Sequence, residues 1–418
     1  MDSPYIDINH DHGFGLDHLP YGVFSYPGQS KRIGVRVGGH ILDLAYLEQQ
    51  GLSKSITPFS IFRQATLNPL AELGRLSWNN IREWIQEILT SRHSPLKDKD
   101  FHRLAFLPVD QALLHLPFYS RGYTDFYSSE QHARNVGALY RDPAHALPKN
   151  WKHLPIAYHG RSSSLMVSGT PIVRPWGQIL PPDSSQPLFR PTRKLDFEIE
   201  VGLFIGQPSQ AFQPIPVGQA EDYIFGLVLV NDWSARDIQA FEYQPLGPFL
   251  GKNFATSLSP WVVPLAALQP FRQAMPPLDV QVVSYLKQSP RYSYDIPLRL
   301  TLETATGHQQ SLIHTNFCHQ YWSMAQQIAH HTVNGCNLEV GDLLASGTIS
   351  GDTPSSWGSL LEISQNGQQP LTLGNGEVRT FLEDGDDIII TAQCQNGHHR
   401  VAFGEVRGKI MPALPSFS

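Results

Sequence analysis

The chain has 418 residues, 41% hydrophobic and 16% charged, a balance that excludes a disordered protein and leaves room for two globular units. Its net charge of −6, without any Lys/Arg-rich run, argues against a nucleic-acid partner, because phosphate binding needs a basic face. Three cysteines without CxxC spacing, no apolar h-region in the first 20 residues and no run of ~18 apolar residues predict free thiols, a cytoplasmic location and no membrane partner. With 33 glycines and 33 prolines, turns are dense, and the expectation is a mainly β (α+β) fold.

In chain order, YGVFSY (21–26) and RIGVRV-GG-HILDL (32–44) read as short strands, with both Gly38 and Gly39 expected at positive φ in a tight turn. A helix follows, capped by Ser77, with Ile81, Trp84, Ile85, Ile88 and Leu89 at helical spacing. SPLKDKD (94–100) reads as a solvated connector. A boundary near LPFYSRG (116–122) divides the chain into a barrel-like domain, 1–118, and a larger β-rich domain, 119–418.

Within the larger part, KLDFEIEVGLFIG (194–206) alternates Leu195, Phe197, Ile199 and Val201 with Asp196, Glu198 and Glu200. A strand of period two sends the apolar set to a core and aligns three carboxylates, roughly 6.5–7 Å apart, on the other face. Such a row is tolerated on a wet surface or beside a compensating cation. FGLVLVND (225–232) is a strand ending in Asp232, followed by a helix SARDIQAFE (234–242) capped by Ser234. A second helix is expected over about 319–334, stopping at Gly335. GDLLASGTISG (341–351), LEISQ (361–365), DIIITAQCQ (387–395) and HRVAFGEV (399–406) complete the strands.

Glu198, Glu200, Asp232 and Asp125 are hard oxygen donors without cysteine or histidine at ligand spacing, which favours Mg²⁺, Ca²⁺ or Mn²⁺ over zinc or copper. Asp196 reads as supporting rather than ligating. His132, in TDFYSSEQH (124–132), is a candidate general base, and Glu362 a candidate orienting acceptor on an apolar strand. Arg236 and Gln239 share a helix face, and with Lys252 they offer donors for an oxyanion. Tyr127, Arg141, Tyr158 and Tyr243 are candidates for a substrate carboxylate. LGPFLGKN (246–253) misses the P-loop spacing; HExxH, GxSxG and GxGxxG are absent.

The strings LPYGVFS, YTDFYSS, YHGR, NDWSARDIQ, GPFLGK, HHTVNGCNL, LLASGTISG and RTFLEDGD, spread nearly end to end, closely resemble the fumarylacetoacetate hydrolase family. The resemblance implies a small SH3-like N-terminal domain, a C-terminal β-roll domain and a homodimer. It also implies hydrolysis of 4-fumarylacetoacetate to fumarate and acetoacetate, the last step of tyrosine and phenylalanine catabolism. By the same resemblance Asp125, Glu198, Glu200 and Asp232 bind Ca²⁺. Lys252 and Thr256 join Asp232 at a Mg²⁺ site, Lys252 through its backbone carbonyl because an ammonium has no lone pair. His132 is then the base with Glu362 as partner, and Arg236, Gln239 and Lys252 steady the leaving group. Tyr127, Arg141, Gln239, Tyr243 and Thr348 contact substrate. The rivals are a related hydrolase or decarboxylase for another β-diketo acid, and a non-catalytic metal-binding scaffold.

Overall fold

The computed structural model describes residues 13–57 and 60–416. Val23, Ile33, Val35 and Leu42 are buried together on an antiparallel sheet, ordered 106–108, 40–43, 32–37, 21–25, 113–115, while Phe24 and Ile41 pack on Trp261. The face of Val23 and Ile33 packs on the helix Arg75–Thr90 through Ile81, Trp84, Ile85, Ile88 and Leu89, as their spacing predicts. That helix starts earlier than expected. Gly74 occupies the N-cap, and Ser77 lies inside the first turn, donating to the Leu73 carbonyl at 3.0 Å. Only Gly38 of the glycine pair takes positive φ. The stretch 94–100 is not a solvated connector: Pro95–Lys97 form a 3₁₀ turn, Lys99–Ala105 a helix, and Leu96 is buried.

The rest is a mixed α/β fold built on curled sheets. One sheet runs in the order 157–159, 123–126, 343–345, 199–205, 224–232, 256–258, 165–167, with 263–264 also paired to 224–232. A second runs 309–316, 297–303, 387–396, 399–411, 172–173. Leu203, Ile205, Leu227 and Leu229 of the first meet Leu298, Leu300, Leu302, Ile388 and Ile390 of the second in one core. The opposite face of the first sheet carries Phe204, Val228 and Val230 into the core built by the N-terminal strands. Both faces of the strand 224–232 are therefore apolar, which is why it reads as a continuous hydrophobic run.

Several elements differ from expectation. The 194–206 strand is interrupted: Leu195–Asp196 pair with Ser234–Ala235, and the regular strand begins at Ile199. The 234–242 helix begins at Arg236, with Ala235 at the N-cap, while Ser234 donates to the Asp232 carbonyl. The later helix is shorter, Met324–Thr332, fixed by a Ser323/Gln326 capping box. In 341–351 only Leu343–Ala345 are strand; beyond them the chain is irregular, tied back by Ser346 and Ile349 N–H bonds to the Val201 and Ile199 carbonyls. Residues 361–365 are not a strand, because Leu360–Ile363 form one helical turn capped by Ser359. The 297–303 and 309–316 hairpin was not anticipated, although PLRLTLE alternates buried and exposed positions.

Gly347 sets how closely the 346–351 segment approaches the strand 123–126. Its φ is +77°, and a Cβ there would lie 2.1 Å from the Phe126 carbonyl oxygen. Gly347→Ala is expected to destabilise the fold by more than about 1 kcal/mol, read as a lower denaturant midpoint with unchanged m.

Candidate active site

Sheet register brings the acidic residues together. Asp125 lies opposite Ala345 on one side and Tyr158 on the other; Glu200 pairs with Val230, and Asp232 with Thr256. One carboxylate oxygen from each of Asp125, Glu198, Glu200 and Asp232 lies within 4.8 Å of the others, and all four side chains are buried. A solvated acidic face is thereby excluded. Asp196 separates from this group because the strand breaks after it. Its carboxylate accepts from the Leu360 and Leu361 N–H groups at 2.8 and 2.9 Å and from Arg236 Nε at 2.8 Å.

Two cations are built into the cluster. Lys252 Nζ donates to Glu198 at 2.7 Å and to Asp232 at 2.8 Å, and Arg236 Nη1 lies 2.7 Å from the other Glu198 oxygen. Burial alone would raise Glu198, but Lys252 and then Arg236 overcome it and hold the carboxyl well below its usual range. For Lys252, burial opposes the charge, and Asp232 and Glu198 more than restore it. The Lys252 side chain thus supplies positive charge beside the carboxylates and cannot be a ligand through its nitrogen. Thr256 Oγ1 donates to Asp232 at 3.0 Å. Tyr158 donates its hydroxyl to Asp232 at 2.7 Å, which places this candidate substrate contact at the edge of the cluster.

Asp125 and Glu200 are less well compensated. Burial, followed by the repulsion of neighbouring carboxylates, raises both well above the carboxylate range. Asp125 Oδ1 and Glu200 Oε1 are buried without a hydrogen-bond donor. Orphaned oxygens on clustered carboxylates, with only two cationic side chains among them, fit a divalent hard cation.

The histidine stands beside this group. Ser129 caps the helix Glu130–Tyr140, and His132 on its first turn lies 2.8 Å through Nδ1 from Glu362. Glu362 also accepts from Asn135, Ser350 and Ser359. Burial would raise this carboxyl, but the charge and hydrogen bond of His132, with Asn135 and Ser359, hold it below its usual value. An acceptor-only carboxylate on Nδ1 selects the tautomer whose Nε2 lone pair is free to take a proton. Tyr127 sets its ring edge-on to His132, with centroids 5.3 Å apart. Arg141, at the end of the same helix, is held by the Ala146 carbonyl. Gln239 accepts from Arg236 at 3.3 Å; Thr348 is buried, and Tyr243 is largely exposed and accepts from Gln244.

Asn135, Ser350 and Ser359 escaped the sequence reading, as did the bridging role of Asp196. Ser359-x-x-Glu362 is a capping pattern, and Asn135 lies one helical turn from His132, so both carried a local signal. Ser350 carried none.

Clustered hard oxygen donors beside a carboxylate-oriented histidine are the equipment of a metal-assisted hydrolase. Residues 121–410 match the family model described as fumarylacetoacetate (FAA) hydrolase C-terminal, and residues 17–117 that described as fumarylacetoacetase N-terminal. The chain belongs to the fumarylacetoacetate hydrolase family. It is 47% identical over 414 residues to the fumarylacetoacetase of Homo sapiens, covering 98% of this chain and 99% of that one. With the fumarylacetoacetase of Arabidopsis thaliana the identity is 45% over 417 residues, covering 98% and 99%. Among solved structures, a fumarylacetoacetate hydrolase from psychrophilic Exiguobacterium antarcticum shares the fold at TM-score 0.54 and 16% identity, covering 94% of this chain and 99% of that one.

Because the folded protein holds the Asp125 and Glu200 protons more tightly than the unfolded chain, the associated stability is complete below the ordinary carboxylate range. It is lost as pH rises through the raised values. In chelator, the contribution of these two groups to Tm should therefore fall as pH rises from acidic towards neutral, against the opposite contribution of lowered carboxyls such as Glu198 and Glu362, and a divalent cation should reverse that fall. Glu200→Gln should flatten this dependence and weaken cation binding by calorimetry; an unchanged slope and affinity would contradict the assignment.

Proposed function

We propose that this chain hydrolyses the carbon–carbon bond of a β-diketo acid, converting 4-fumarylacetoacetate and water to fumarate and acetoacetate. The observation that carries the reading is the acidic cluster beside the His132–Glu362 pair, in a chain nearly half identical over its length to fumarylacetoacetases. Breaking such a bond requires the departing carbon to leave as an enolate, so negative charge must be received on oxygen. A Ca²⁺ or Mg²⁺ ion held by Asp125, Glu198, Glu200 and Asp232 would supply this chemistry by withdrawing charge from the diketone oxygens.

His132 Nε2 takes the proton of a water, while Glu362 on Nδ1 fixes the ring and stabilises the imidazolium that forms. That water attacks the neighbouring ketone, the carbon–carbon bond breaks with its electron pair passing into the enolate, and the proton taken by His132 is balanced by the one that the departing carbon gains to give acetoacetate. Arg236 Nη2 is buried without a partner, so this guanidinium, anchored through its other nitrogens by Asp196 and Glu198, keeps a donor for developing negative oxygen. Lys252 contributes positive charge from the cluster side, and Gln239 extends the polar wall. Tyr127, Arg141, Tyr243 and Thr348 are assigned to orienting the substrate, with Arg141 as the fork for a carboxylate. Thr256, together with Asp232 and the Lys252 backbone carbonyl, is proposed as a Mg²⁺ position.

The finer architecture belongs to the same reading: an SH3-like domain over 1–118, a β-roll domain over 119–418, and a cytoplasmic homodimer. A second reading, action on another β-diketo acid, is tested in the same assay. Loss of the substrate's ultraviolet absorbance with 4-fumarylacetoacetate supports the first reading; turnover of only a different diketo acid supports the second.

His132→Ala should lower kcat by roughly 10²-fold or more while cation affinity by calorimetry stays unchanged. Retained turnover would remove His132 from the base role. Arg141→Ala should act mainly on KM, since a carboxylate anchor binds ground and transition states alike; a fall confined to kcat would move Arg141 into the chemistry.

A further inference from the structure

Tyr123 is a buried polar side chain that the assignments above leave unused. It lies two residues before Asp125 on the strand Tyr123–Phe126, so the two side chains leave the same face of the sheet. Its ring belongs to the apolar core that contains Leu165, Phe204, Val230 and Ala345. The ring also leans across Gly160, whose N–H donates to the Tyr123 carbonyl at 2.8 Å; a Cβ at Gly160 would lie 2.2 Å from the ring. No other residue type leaves room for that pose.

The far end of the side chain is different. The hydroxyl is buried beside Thr256, in the field of Asp232, Asp125 and Glu200, and makes no well-formed hydrogen bond with protein. Asp125 Oδ1 and Glu200 Oε1 are buried and unpartnered in the same region. A donor and two acceptors, all buried and without a hydrogen-bond partner, thus belong to neighbouring side chains of one cluster, a costly arrangement unless something mediates between them. A hard divalent cation takes about six to eight oxygens, and four carboxylates offering one oxygen each leave its set incomplete. Partners around such sites orient the oxygens that complete it.

We infer that Tyr123 is a positioning residue of the cation site, its hydroxyl donating to a water that completes the oxygen set around the four carboxylates. Gly160 is the position that makes this possible. The inference rests on the reading of the cluster as a cation site.

Tyr123→Phe keeps the ring and its packing and removes only the donor. Calorimetric titration with Ca²⁺ and with Mg²⁺ should show affinity weakened roughly tenfold or more, while Tm in chelator does not fall. The near-ultraviolet tyrosine difference signal produced by adding the ion should disappear with it. Gly160→Ala, which displaces the ring, should weaken cation binding in the same direction. Equal affinity in wild type and Tyr123→Phe would overturn the inference and leave the cation site standing. A wild type that takes up neither ion would overturn the cation site and this inference together.

Discussion

Four carboxylates packed within reach of one another, away from water, are the constraint around which this structure is organised. Moving a single charge from water into protein costs on the order of several kcal/mol even after relaxation, and mutual repulsion adds to that. Sequence-distant segments absorb the cost unequally. Glu198 is satisfied on both oxygens by Lys252 and Arg236, and Asp232 receives Lys252, Tyr158 and Thr256. Asp125 and Glu200 each keep a bare oxygen. Two of the four positions are thus left uncompensated, which suits the cluster to a divalent cation. Lys252 limits the repulsion without filling the site, because its ammonium takes one side of the cluster only.

Asp196 ties the carboxylate cluster to the histidine. Its carboxylate holds the first N–H groups of the turn Leu360–Ile363, which carries Glu362, and also grips Arg236, which reaches into the cluster. The break in the strand after Asp196 is what turns it away from Glu198 and Glu200. Sequence alternation alone would leave all three on one face; the interruption makes Asp196 a strut between the turn that carries Glu362 and the guanidinium of Arg236.

What could be read from the sequence follows from the range of the forces involved. Apolar runs such as FGLVLVND and the helical spacing of Ile81–Leu89 encode themselves locally; the strand forms within a residue of expectation, while the helix starts three residues early. Asp125, Glu198, Glu200 and Asp232 were identifiable from donor chemistry and family resemblance, and sheet register assembles them. Element ends were less legible, because caps compete: Ser77 and Ser234 resemble N-caps, yet each donates to a nearby carbonyl instead. Tyr158 and Tyr123 could not be placed, since their hydroxyls are directed by strands far apart in the chain. The turn carrying Glu362 looked like a strand because LLEIS is apolar on both sides, as a fully buried helical turn also is.

The N-terminal strands matter to the chemistry through the back of the sheet. Asp232 has the same parity as Val228 and Val230, Glu200 the same as Phe204, and Asp125 the same as Tyr123; these apolar partners pack into the core of the first 118 residues. One face of a single sheet is therefore apolar under the N-terminal unit and acidic at its end. Leu165, opposite Thr256 on the neighbouring strand, belongs to that core and borders the end of the sheet where Asp232 lies. A low-dielectric wall strengthens every charge interaction beside it. The N-terminal strands thus contribute no carboxylate to the cluster, and they back the sheet that carries it.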